Sequence, residues 1–153
     1  MSYISAIKST FKRNLHKVDL LDINPEDNTR FHCRNLPKLG ISQYIDRLEQ
    51  YLYCSEEVFV IACIYIDRVK EKQPWMVFNT SAMYRLLLVS AITAAKFYDD
   101  EIRDNAHYAR VGGISNRELN ELERLFLEYI DFDLYIQDSE YEDYSKKLRK
   151  NCR

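Results

Sequence analysis

Apolar residues recur along the first part of this chain at steps of three and four, the spacing that gives an α-helix one apolar face. The first such stretch runs from Tyr3 to Val18, with Ile4, Ile7, Phe11, Leu15 and Val18 on one side. A polar segment from Asp19 to Gly40 follows, carrying Pro25, Pro37 and several Asn and Asp. It reads as an irregular connection with a short turn around Leu20–Ile23. Helical spacing returns at Ile41, Tyr44, Ile45, Leu48, Tyr51 and Leu52, with Ser42 as the expected capping hydroxyl.

The middle of the chain is apolar without a wet side. Ser55 followed by Glu56 and Glu57 predicts a helix start, with acids in the turn where the helix dipole favours them. Val58 to Ile66 is then apolar all round, so this helix must be enclosed by others. Pro74 closes it. A second enclosed helix is predicted from Thr80 or Ser81 through Lys96, and its small residues Ser90, Ala91, Ala94 and Ala95 let a neighbouring helix approach closely. Short apolar runs alone do not separate strand from helix, but these patterned stretches exceed twelve residues without internal Gly or Pro. Helix is the better reading.

Gly112-Gly113 break the pattern, and Ser115 with Glu118 matches a capping box ahead of Leu119, Leu122, Leu125, Phe126, Tyr129 and Ile130. Ser139 to Glu142 predicts the start of a last helix, which runs into the basic stretch Lys146 to Arg153. The pattern therefore predicts an all-α chain. A helix and connection occupy residues 1–40, and five core helices lie between Ser42 and about Lys150 in a domain spanning 41–150.

Composition narrows the function classes. With 153 residues, three glycines and three prolines, the chain fits one helical domain and lacks the turns an all-β fold requires. The net charge of −2 gives no basic footprint for nucleic acid. No apolar run approaches the ~20 residues of a membrane span, and the first twenty residues, with Lys8, Lys12, Arg13 and Lys17, do not read as a signal peptide. An intracellular protein of the nucleus or cytoplasm is expected. The four cysteines, without CxxC spacing, read as reduced thiols; His32-Cys33 is the nearest approach to a metal pair, with no further ligand at suitable spacing.

No catalytic signature is present. Asp99, Asp100, Glu101 and Asp104 form a dense acidic cluster, a candidate for metal or acid–base work that fits a solvated docking rim better. Arg47 and Asp67, on adjacent predicted helices, are expected to form a structural ion pair. Gly112-Gly113 lack the spacing of a phosphate loop and read as a plain turn.

Four stretches together carry a family resemblance: Ile41–Tyr51 (ISQYIDRLEQY), Ile64–Arg68 (IYIDR), Tyr84–Asp100 (YRLLLVSAITAAKFYDD) and Asn105–Glu123 (NAHYARVGGISNRELNELE). In order and spacing they resemble the single-box cyclins of the P/U type, and they span Ile41 to about Tyr144. The YARVGG turn leading into the ELNELE helix is the most specific of them.

What the resemblance implies is a five-helix cyclin box with an additional N-terminal helix, acting as the regulatory subunit of a cyclin-dependent protein kinase. It implies no catalytic residue, cofactor, metal or small-molecule substrate of the chain's own. The kinase-binding surface implied comprises Met83 and Arg85 at the start of the third box helix, Asp99, Asp100, Glu101 and Asp104 at its end, and Tyr108 and Val111 ahead of the fourth. Two departures stand out. The first box helix lacks the MRAIL-type motif of cell-cycle cyclins, which puts RxL-type substrate recruitment in doubt, and there is no second box or recognisable degradation signal. A cyclin-fold adaptor that activates no kinase is the competing role. A metal-dependent hydrolase and a transcription-factor-IIB-like DNA binder are remoter alternatives.

Overall fold

The helix that begins at Glu56 has no polar stripe to give to water, and the rest of the chain is arranged around that fact. In the computed structural model, which describes residues 3–19, 29–33 and 35–150, every residue from Val58 to Ile66 is buried. The helices are α1 (Tyr3–Asp19), α2 (Ile41–Tyr51), α3 (Glu56–Lys72), α4 (Thr80–Tyr98), α5 (Asn105–Gly112), α6 (Asn116–Tyr129) and α7 (Asp138–Lys150). Among the described residues there is no strand. α4 is buried from Leu86 through Ala95, and the most extensive packing in the molecule is between α3 and α4. Each fully buried Leu, Ile or Val of this pair contributes about 1.5–3 kcal/mol relative to exposure.

Around the pair, α1 packs on α2, α3 and α7, while α4 meets α2, α5 and α6. The predicted face of α1 is the one that faces inward: Ile4, Ile7, Phe11 and Leu15 are buried in the same apolar core as α3 and α4. Residue 40 therefore marks a change in chain character, not a division between cores. The Leu20–Ile23 turn lies outside the described residues. Part of the connection plugs the core, with Phe31 fully buried against the rings of Phe126 and Tyr129.

The helix α5 was not expected from the sequence, because eight residues are too few for a convincing apolar repeat. Tyr108, Ala109 and Val111 nonetheless bury on it. With α5 added, six described helices, α2 to α7, occupy the span where five were expected, and α7 returns to pack on α1 and α3.

The caps follow the pattern with local changes. Gly40, not Ser42, occupies the cap of α2, where Gln43 Oε1 accepts its N–H at 3.2 Å. Asn79 caps α4 through the Ala82 N–H. Ser115 caps α6, but Glu118 does not complete a box; its carboxylate pairs with Arg85 instead. α7 starts at Asp138, one residue ahead of Ser139. At the end of α5, Gly113 adopts φ +74, a left-handed conformation that costs glycine nothing.

The expected Arg47–Asp67 ion pair does not form. Arg47 Nε donates to the Val111 carbonyl at 2.8 Å, and its guanidinium lies over the Tyr51 ring at 5.5 Å. Asp67 lies beside Tyr144 of α7 instead, and burial raises its carboxyl above the usual carboxylate range. The tie between helices is made by the next residue: Arg68 reaches the Asp133 carbonyl at 2.7 Å and both Glu140 carboxylate oxygens at 2.9 and 3.1 Å. Neighbours on a helix are turned about 100° from each other, so Asp67 and Arg68 meet different side chains of the same helix, α7.

Gly112 is required for close packing. A Cβ there would run into the side chain of Leu88, which is itself wholly enclosed in α4. Gly112→Ala is expected to cost about 1–3 kcal/mol through overpacking. The measurement is a urea titration, in which the midpoint falls while the slope stays constant.

Candidate docking surface

Between α4 and α6 the surface dips into a groove of about 250 Å³, lined by Thr93, Lys96, Phe97, Glu123, Leu127 and Leu134. Its polar centre is a three-residue node. Lys96 Nζ donates to Glu123 Oε1 at 2.6 Å and to Asn105 Oδ1 at 2.7 Å, and Asn105 Nδ2 donates to Glu123 Oε2 at 2.8 Å. An ammonium has three N–H donors, so the node keeps one in hand. Glu123 is largely shielded, with a side chain 16% exposed, which strengthens its attraction to Lys96 relative to a freely solvated pair.

Apolar side chains surround the node without being covered. Phe97 is 50% exposed, and beside it Tyr98 packs edge-on at a 4.9 Å centroid separation. The Tyr98 hydroxyl accepts the Ile136 N–H at 2.8 Å and so holds the α6–α7 turn against the end of α4. That turn is strained. Asp131 and Phe132 both take left-handed φ values, 57° and 55°, costing roughly 1–2 kcal/mol each. The strained turn presents Phe132 and Tyr135, each 67% exposed.

The residues implied by the resemblance fall into three groups. Met83, Tyr108 and Val111 are buried in the core, so a docked partner cannot touch their side chains without opening the fold. Arg85 is engaged within the chain, paired with Glu118 and donating to the Arg30 carbonyl at 2.8 Å, although its buried Nε has no hydrogen-bond partner. The four acids stand at the far end of α4, about 21 Å along the helix axis from Arg85. Met83 and Arg85 therefore lie at the opposite end of α4 from them.

Within the acidic cluster the roles differ. Asp99 accepts from the Ser55 N–H at 3.1 Å and from its hydroxyl at 2.8 Å, linking the start of α3 to the end of α4. Asp104 caps α5 by accepting the His107 N–H at 2.8 Å. Asp100 and Glu101 are exposed and free to meet a partner.

Lys96, Phe97 and Glu123 escaped the sequence reading. Lys96 ends an apolar run and reads as a helix terminus meeting water; its partner lies 27 residues away, on a helix with no local signal pointing back. Elsewhere, both ring nitrogens of His32 are occupied. Nδ1 accepts the Thr29 N–H at 3.0 Å, and Nε2 lies 2.9 Å from the Val77 carbonyl. A His32-Cys33 metal pair would have to break these bonds. Among the described residues no group of three or more His, Cys, Asp or Glu side chains is placed to hold a metal ion.

The described residues thus present an exposed, partly apolar groove on an all-α fold. Comparison with known proteins gives the class: residues 6–134 match the cyclin family model, covering α1 through α6. The chain belongs to the cyclin family, whose members are regulatory subunits. It is 40% identical to Cyclin-U4-1 of Arabidopsis thaliana over 78% of its own length and 59% of that protein's. To Cyclin-P3-1 of Oryza sativa subsp. japonica it is 41% identical over 86% of this chain and 56% of the relative. To Cyclin-U3-1 of Arabidopsis thaliana it is 36% identical over 98% of this chain and 69% of the relative. The chain thus spans less than two-thirds of the length of Cyclin-U4-1 and Cyclin-P3-1. The P/U-type resemblance of its motifs agrees with these relatives.

Beside the cluster, burial and the Asp99 charge push the Cys54 thiol up to about 12, and burial raises the fully enclosed Cys63 thiol as well. At pH 8 Cys54 is then thiolate in only about one molecule in 10⁴, against roughly a quarter for a free cysteine. Native protein is expected to leave both unlabelled over the minutes in which a free thiol reacts with DTNB, and guanidinium should release them. Prompt native labelling of Cys54, mapped by peptide mass, would show that the start of α3 is open.

Proposed function

We propose that this chain is the regulatory subunit that binds and activates a cyclin-dependent protein kinase, and that it does so through the α4–α6 groove. The observation that carries the reading is the Lys96–Glu123–Asn105 node set among exposed apolar side chains. Phe97, Leu127 and Leu134 offer area whose burial drives association, while a shielded charge pair with a spare donor fixes orientation. A partner helix with apolar residues and accessible polar groups fits this chemistry. In the kinase family the helix that must move inward for catalysis carries the Glu of the Lys–Glu pair that positions ATP.

Activation follows as a shift of population. A groove that binds the inward arrangement more tightly than the outward one favours the active kinase by the difference in affinity. Asp100 and Glu101, exposed at the edge, would meet basic residues of the kinase and mainly raise the association rate.

The test is affinity purification of the chain from native extract, followed by phosphotransfer assay of what it retains. A cyclin-dependent kinase is expected in the eluate with a raised phosphotransfer rate. Phe97→Ala, at an exposed position, should weaken that binding about 10- to 100-fold, or roughly 1.4–2.8 kcal/mol, with little change in melting temperature. Recovery of no such kinase, or of one whose rate is unchanged, would defeat the reading and leave the adaptor role in its place.

A further inference from the structure

The segment joining α4 to α5 is pinned by side chains at both ends. At its start, the Asp99 carboxylate takes two hydrogen bonds from Ser55, at 3.1 and 2.8 Å. Near its end, the hydroxyl of Tyr108, buried at 1% exposure, accepts the Arg103 N–H at 2.9 Å. Asp104 then closes the segment by capping α5. Between these fixed points only Asp100, Glu101 and Ile102 project, and all three are exposed. Backbone held by buried or shielded side chains loses little further freedom when a partner docks, which lowers the entropic cost of binding.

We infer that Asp99 and Tyr108 are positioning residues: they hold the Asp100–Ile102 knuckle in its docking conformation and do not themselves contact the kinase. The inference rests on the docking reading above. It separates two roles that charge alone would merge, because Asp99 looks like one more acid on the rim. Asp99 acts through hydrogen-bond geometry, so its charge is dispensable and its shape is not. Asparagine keeps one acceptor oxygen for the Ser55 N–H and supplies an N–H₂ that the Ser55 hydroxyl can accept. Alanine keeps neither.

The experiment compares Asp99→Asn, Asp99→Ala and Tyr108→Phe in the full chain, by kinase affinity at low and high salt and by amide hydrogen exchange. Asp99→Asn should stay within about twofold of wild type at both salt concentrations, whereas Asp99→Ala should bind about tenfold more weakly. Exchange should quicken at Ser55 in Asp99→Ala and at Arg103 in Tyr108→Phe, and Tyr108→Phe should also weaken kinase binding while removing no charge. Affinity lost equally in Asp99→Asn and Asp99→Ala would mark a direct charge contact and overturn the inference alone. Unchanged exchange at Ser55 in Asp99→Ala would overturn it too. A wild-type chain that holds no kinase defeats the docking reading and this inference with it.

Discussion

The burial of α3 against α4 is the interaction on which the rest of the structure depends. Neither helix has a face that tolerates water from Val58 to Ile66 or from Leu86 to Ala95, so both must be covered on all sides. The other helices supply that cover, each with one apolar stripe turned inward. α1 contributes Ile4, Ile7, Phe11 and Leu15, α2 contributes Tyr44, Ile45 and Leu48, and α6 contributes Leu119, Leu122 and Phe126. Amphipathic helices around an apolar pair leave their outer faces polar. Between α4 and α6 those outer faces leave a groove with an apolar edge and a charged centre.

Tyrosine does much of the work of fixing how the cover sits. Buried tyrosines place a large ring in the core and still need a partner for the hydroxyl. Here those partners are backbone groups at the junctions between helices. The Tyr44 hydroxyl donates to the Gly112 carbonyl, Tyr84 to Leu39 and Tyr65 to Leu134, while Tyr108 receives the Arg103 N–H. Each bond ties a helix to a turn or connection that apolar packing alone would leave free to slide. The same device fixes the candidate docking surface, since Tyr65 and Tyr98 anchor the α6–α7 turn and Tyr108 anchors the α4–α5 segment.

Much of this architecture is written in local pattern. The faces of α1, α2 and α6, the enclosure of α3 and α4, the acids at the start of α3 and the Ser115 cap all depend on residues within one or two helical turns of each other. Features outside that range leave no such local signal. α5 is too short to display a repeat, and without it the inward direction of Tyr108 and Val111 could not be seen. Arg47 and Asp67 have opposite charges and adjacent helices, yet helix rotation turns them to different neighbours, and Arg68 makes the tie instead.

The sequence by itself determined that this protein is all-helical, which helices are enclosed and that the chain carries cyclin motifs, because helical periodicity and capping are local properties of the chain. The tertiary structure alone decided which acid is a latch and which is free, and that Lys96, Asn105 and Glu123 form one polar node. Those relations join residues on different helices. They depend on the rotation and spacing of packed helices, which the core as a whole sets and no short stretch of chain encodes.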